Sequence, residues 1–243
     1  MKELARNLLC SFGYEVNAYN FLRSHEVRRV KFLKEQNISL VLDVGANEGQ
    51  FGALLRRLGY QGKIISFEPV QQVFQTLTKQ CQSHSSWTAR NEALGDFDGY
   101  TKINVSAFSQ VSSILTATGI ADTNYWKGNT QAKIQVRRLD SLSDELELNQ
   151  HQIFLKVDTQ GFEENVLRGG KGMLQGQNIQ MLEVELSMRS FYSGEKLFPE
   201  MLDYIRGLGF ELISMSPVHV DSQKGHVLQY DCIFIRKETF EAT

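Results

Sequence analysis

The sequence predicts an α/β domain on a seven-stranded, mostly parallel sheet with one antiparallel strand near its end, an N-terminal helix and an inserted hairpin. Two observations lead there. From residue 39 onward, short apolar runs of β-type residues alternate with stretches at helical spacing, the signature of a parallel sheet covered on both faces. The last two strands are then separated only by SPVHVDSQKGHVLQY (216–230), too short for a crossover helix, so the chain must return antiparallel.

Taken in order, residues 1–37 form a helical extension and 38–243 the main domain. Residues 20–36 set Phe21, Leu22, Val27, Val30, Phe32 and Leu33 at loosely helical spacing among charges. Strands are expected at 40–44, 63–67, 87–91, 153–157, 180–186, 210–215 and 231–236. Helices are expected at 49–58, 70–82, 140–147, 162–174 and 199–207. The stretch 95–138 carries two β-like pieces, 100–105 and 133–137, around a Ser/Thr-rich turn. No Pro/Gly linker brackets it, so it reads as a hairpin and a functional loop inside one domain.

Composition narrows the function. The 243 residues carry 26 Lys and Arg against 28 Asp and Glu, a net charge of −2. No clustered basic excess is available to neutralise phosphates, which argues against a nucleic-acid partner and for small substrates. The cysteines Cys10, Cys81 and Cys232 stand far apart, with no zinc or disulfide spacing, and read as free thiols. The N-terminus lacks a signal-type apolar core, and no window approaches the roughly 18 apolar residues of a membrane span. These features suggest a cytoplasmic enzyme without stable membrane insertion. Leu4, Leu8, Leu9 and Phe12 leave room for weak membrane association or a homodimer contact.

The most informative segment is LVLDVGANEGQF (40–51), an apolar strand running through Gly45, Asn47 and Gly49 into a helix. Glycines remove the Cβ atoms that would hold a ligand off the backbone, and a helix start offers unpaired N–H groups. The pattern G-x-x-x-G is neither the G-x-G-x-x-G of dinucleotide binders nor a phosphate loop, which disfavours NAD and ATP. A strand-to-helix turn without ligand is the plain alternative. Glu68, at the end of the second strand, stands where a carboxylate can accept both hydroxyl hydrogens of a ribose. Asp43 is placed to hold the loop N–H groups or to meet an ammonium.

These segments, with NEALGD (91–96), VSSIL (111–115), RLDSL (138–142), LKVDTQGFEENVLRGG (155–170) and LEVEL (182–186), resemble the FkbM-type S-adenosylmethionine (SAM)-dependent methyltransferases over about residues 20–237. The resemblance implies a Rossmann-like class I methyltransferase fold and O-methylation of a hydroxyl on a sugar, polyketide or other small metabolite. It implies that Gly45, Asn47 and Gly49 contact the methionine part of the cofactor and that Glu68 binds the ribose. Glu92, Ala93 and Leu94 would lie by the adenine, and Ser112 and Ser113 near cofactor or substrate.

Reactive groups in an open α/β sheet belong at the carboxyl ends of the strands. Asp158 meets that condition, as a base, as an acceptor-orienting group or as a contact to the cofactor, with capping of the next helix as its bland role. Glu183 and Glu185 share one strand face and need partners, Lys156 or a metal ion. Glu185 reads as the active-site acid and Glu183 as a structural ion pair. Asp231 and Tyr230 should reach the crevice on the antiparallel strand. Mg²⁺ between Asp158 and Glu185 would lower a hydroxyl pKa, yet no adjacent Asp pair accompanies residues 183–186, and no metal site is assigned. His25 reads as a solvated surface residue, and His219 and His226 as residues of the loop after the sixth strand, where they could line the acceptor pocket or do nothing. Tyr125, Trp126, Phe191 and Tyr192 could stack on a substrate or cover the core. The rival readings are a noncatalytic cofactor-binding module of the same fold and an N-methyltransferase. DTQG (158–161) stands where the latter carries an Asn/Asp-Pro-Pro-Tyr-type loop.

Overall fold

A computed structural model describes residues 2–14, 19–106, 108–118 and 130–241. In chain order these form α1 (Lys2–Ser11), α2 (His25–Glu35), β1 (Leu40–Val44), α3 (Gln50–Arg57), β2 (Lys63–Phe67), α4 (Gln71–Cys81), β3 (Trp87–Arg90), β4 (Ala93–Leu94), β5 (Gly99–Val105) and β6 (Thr130–Arg137). There follow β7 (Ile153–Val157), α5 (Glu163–Gly169), α6 (Lys171–Gln175), β8 (Ile179–Ser187), α7 (Phe198–Gly207), β9 (Phe210–Val220), β10 (Val227–Arg236) and α8 (Lys237–Glu241).

Seven strands make the main sheet in the order β3-β2-β1-β7-β8-β10-β9, and β10 runs antiparallel to both neighbours. The central pair, β1 and β7, is buried throughout because helices cover both faces. Period-two alternation sorts their side chains. Leu40, Leu42, Val44, Leu155 and Val157 enter one core layer; Val41 and Phe154 enter the other.

The antiparallel return is as expected, but β9 and β10 reach to Val220 and Val227, so most of the segment read as a loop is hairpin. The pairing tolerates Pro217 through register shifts beside Tyr230. The inserted hairpin forms from β5 and β6 and gains a third strand, since β4 pairs parallel with β6.

Three expectations are corrected. No α-helix spans 140–147: the chain makes 3₁₀ turns at Asp140–Leu142 and Leu148–Gln150, with Glu147 at φ 54°. Asp140 instead accepts the N–H groups of Gly172 and Met173, both at 2.9 Å, and so caps α6. The helix expected at 162–174 breaks into α5 and α6. Gly169 there lies against the next layer, where a Cβ would stand 1.8 Å from the Gly95 carbonyl oxygen. His25 is not solvated either. Its Nδ1 lies 3.1 Å from Ser214 Oγ and its Nε2 3.8 Å from Glu183.

The lead-in helix α2 is capped by Ser24 and sinks Val30 and Leu33 into the layer beneath β1. Around α1, Leu8, Leu9 and Phe12 are exposed. Among the described residues no helix is long and apolar enough to cross a membrane.

Candidate active site

The loop after β1 uses left-handed backbone at Gly45 (φ 79°), Asn47 (φ 49°) and Gly49 (φ 93°). Gly45 matters most. A Cβ there would lie 1.8 Å from the Asp158 carbonyl oxygen, so only glycine lets the loops after β1 and β7 touch. The N–H groups of Gly45 and Ala46 both donate to the Phe67 carbonyl. Gly49 closes against Leu77 and Trp87 and starts α3.

The carboxylate that holds this loop is Glu68. Its Oε2 accepts the Asn47 N–H at 3.0 Å and its Oε1 the Val70 N–H at 2.8 Å. Burial pushes this acid up to about 7, although both backbone hydrogen bonds pull the other way. Asp43 does not take the loop N–H groups. It is fully buried inside β1, accepts Ser66 Oγ at 3.0 Å and stands 3.9 Å from the Lys156 ammonium. Ser66 in turn accepts the Trp87 indole N–H.

A cleft of about 400 Å³ opens above the carboxyl ends of the strands. On the β2 side it is lined by Gly45, Asn47, Glu68, Ala93 and Leu94, with Phe162 nearby; on the β8 and β10 side by Lys156, Asp158, Gln160, Glu185 and Gln229. Ser109, Gln110, Val111 and Ser112 contribute from the inserted segment, and Val218 and His219 from the hairpin.

Asp158 keeps about a third of its side chain exposed, with Oδ2 on Lys156 Nζ at 3.1 Å and Oδ1 on the Gln160 amide at 2.9 Å. Burial would lower the Lys156 ammonium, but Asp158, Asp43, Asp231 and Glu183 raise it, so it stays charged. Its ammonium also lies 5.1 Å from the Phe51 ring centroid. Capping near α5 falls to Glu163, which accepts Thr159 N–H at 2.8 Å, Thr159 Oγ1 and Gly161 N–H. Burial lifts Glu163 to about 7.

Glu185 is partly buried, and its Oε2 accepts amide N–H groups from Gln160 at 3.2 Å and Gln229 at 2.9 Å. Burial, then the charges of Asp158, Glu163 and Asp231, raise it well above the carboxylate range. Glu183, on the same face, is gripped at two points by the Arg29 guanidinium. That cation and His25 hold it down at about 2 against its burial. The partner of Glu183 is therefore the lead-in helix, not Lys156 or a metal ion.

Asp231 pairs with Glu185 across β10 and β8 but is not among the cleft-lining residues; burial and Glu183 raise it to about 6. Tyr230 also lies off the lining, and Gln229 takes that place. Glu92 is turned into an ion pair with Arg90, while its neighbour Ala93 reaches the cleft. Ser113 sits behind Ser112, donating its hydroxyl to the Gln160 carbonyl at 2.6 Å. Tyr192 is buried with its hydroxyl on Gln160 Oε1, and Phe191 packs edge-on against His219. Tyr125 and Trp126 lie outside the described residues. Among the described residues, no group of three or more His, Cys, Asp or Glu could hold a metal ion.

Gln160 and Gln229 were missed. Both had a signal: Gln160 follows the end of β7, and Gln229 is the period-two neighbour of Asp231.

A glycine loop after the first sheet strand, an acid closing the second, and this strand order with a single antiparallel member define a class I methyltransferase fold. The chain belongs to the methyltransferase FkbM domain family, whose model matches residues 43–212. Methyltransferase 1 of Beauveria bassiana (strain ARSEF 2860) is 27% identical over 146 residues, which is 54% of this chain. The match spans 58% of the length of that relative. Among solved structures, the magnesium protoporphyrin IX methyltransferase of Synechocystis PCC 6803, with bound SAM, superposes at a TM-score of 0.48 and 10% identity. That match covers 97% of this chain and 96% of that one. A TehB-like SAM-dependent methyltransferase from Corynebacterium glutamicum matches at 0.41 and 12%, with the same coverage.

Proposed function

We propose that the protein is a SAM-dependent O-methyltransferase acting on a hydroxyl of a sugar, polyketide or other small metabolite. The observation that carries the reading is Asp158. It is a partly exposed carboxylate, backed by a buried lysine, in contact through its own carbonyl with the glycine loop.

The residues fit the cofactor. Gly45 and Asn47 line the cleft beside Glu68, and the cleft volume lies within the range of about 300–1,000 Å³ of ligand sites. Asn47 and Gly45 would face the methionine part, Glu68 the ribose hydroxyls, and Ala93 and Leu94 the base. When bound, SAM supplies an electrophilic methyl group on a sulfonium.

The chain supplies alignment and proton removal. Asp158 accepts a hydrogen bond from the acceptor hydroxyl and takes its proton as the oxygen attacks, a role worth about 10²–10⁴-fold in rate. Lys156 donates a hydrogen bond to Asp158 Oδ2 and so fixes how the carboxylate is presented to the cleft. No step is assigned to Mg²⁺. The same reading keeps the acceptor small and assigns no nucleic-acid partner. It places the enzyme in the cytoplasm and leaves a homodimer to be tested by light scattering.

Calorimetric titration with SAM and S-adenosylhomocysteine (SAH), on wild type and Glu68→Ala, tests the cofactor site. Micromolar binding lost in the variant supports it, and a screen of hydroxylated sugars and polyketides with methyl-labelled SAM then finds the acceptor. A folded wild type that binds neither compound refutes the reading in favour of a noncatalytic module.

A further inference from the structure

Two acids, Asp158 and Glu185, line the same side of the cleft, and Asp158 Oδ2 holds the Lys156 ammonium at 3.1 Å. Two acids so placed disfavour each other's ionised form, and a donor between them eases this. Gln160 is that donor. Its Nε2 gives hydrogen bonds to Asp158 Oδ1 at 2.9 Å and to Glu185 Oε2 at 3.2 Å, one amide serving both acids.

The amide is held from behind as firmly as it holds. Gln160 Oε1 accepts the Tyr192 hydroxyl at 3.0 Å, which fixes which end of the carboxamide faces the acids. The Gln160 carbonyl accepts Ser113 Oγ at 2.6 Å, so the inserted segment is tied directly to this residue. Its backbone is left-handed, at φ 56°, a conformation that residues with a side chain rarely adopt. Gly161 follows at φ 94°, where a Cβ would meet the Tyr192 ring at 2.9 Å.

The two acids are left unequal. Glu185 takes a second amide, from Gln229, whereas Asp158 takes the Lys156 ammonium and keeps about a third of its side chain exposed. We propose that Gln160 is the positioning residue of methyl transfer, holding Glu185 back and turning the free side of Asp158 toward the acceptor. This rests on the methyltransferase reading above. Gln160 acts through Asp158 and is not itself a catalytic residue.

The test uses SAH-loaded protein with ¹³C-labelled carboxyl groups, in wild type, Gln160→Met, Gln160→Glu and Gln229→Met. One amide serving two acids predicts that both Gln160 variants move the Asp158 and Glu185 resonances together, while Gln229→Met moves Glu185 alone. SAH affinity stays within threefold in all of them. With the first acceptor that the screen yields, Gln160→Met lowers kcat at least tenfold and leaves KM for SAM within threefold. Gln160→Glu, which keeps the shape and loses the donors, behaves like Gln160→Met. An unmoved Asp158 resonance, or an unchanged kcat, overturns the proposal, as does a tenfold loss of SAH affinity, which would make Gln160 part of the cofactor site. Failure of wild type to bind SAH would instead refute the methyltransferase reading on which it rests.

Discussion

Arg29 of α2 and Glu183 of β8 form a two-point ion pair sealed beneath the cleft, 154 residues apart in the chain. Both side chains are almost fully buried. The guanidinium also lies 5.1 Å from the Phe51 ring centroid, with the Lys156 ammonium at the same distance from that ring. The lead-in helix is thereby fastened to the strand that carries Glu185.

Breaking that pair leaves a buried charge alone. Arg29→Met should cost about 3–5 kcal/mol, and Arg29→Met with Glu183→Leu much less. Urea unfolding of the three proteins checks it, and equal losses in single and double variants would refute the pairing argument.

The acids of the site set an unusual pH dependence. Glu68 and Glu163 are raised to about 7 and Asp231 to about 6, so the folded protein binds more protons than the unfolded chain between about pH 4.5 and 7. Stability from these groups is present at low pH and lost as pH rises through that window. Glu183, held at about 2, acts oppositely: its contribution is present above the ordinary glutamate value and is lost as pH falls toward 2. The ligand-free protein should be more resistant to urea at pH 5 than at pH 8. Glu68→Gln should shrink the difference, and a protein more stable at pH 8 would contradict this account.

Gly45→Ala combines a left-handed backbone with a Cβ driven into the Asp158 carbonyl. It should abolish SAH binding by calorimetry and cost at least about 2 kcal/mol in thermal unfolding. A variant that binds SAH normally would show that the two loops need not touch.

Asp140→Ala removes the cap of α6 and should cost about 0.5–2 kcal/mol. The Asp158 region lies elsewhere, so SAH affinity should be unchanged. A neutral effect on stability would restore Asp140 to a plain surface acid.

What the sequence made legible follows the reach of each signal. Period and spacing carry through the chain locally, so β1, β2, β7 and the return of β10 could be read, as could a loop whose glycines allow left-handed backbone. Asp158 and Glu185 could be placed because strand ends share one rim. Contacts that depend on distant packing could not. Nothing around Glu183 points to Arg29, and His25 reads as a surface residue until Ser214 of β9 is beside it. The 140–147 segment has helix-forming residues, but the Asp140 side chain spends its oxygens on the next helix. Ser113 and Glu92 carry motif positions, yet one bonds a carbonyl behind the wall and the other an adjacent arginine. Gln160 and Gln229 were overlooked because neutral amides look inert until two carboxylates flank them.

The most direct test of the central claim is Asp158→Asn, assayed for SAM affinity by calorimetry and for methyl transfer with the acceptor from the screen. Asparagine keeps the size of the side chain and loses the capacity to take a proton. Unchanged affinity with a loss of transfer of about 10²-fold or more is the predicted result. Transfer at the wild-type rate would contradict the assignment of Asp158 as the base.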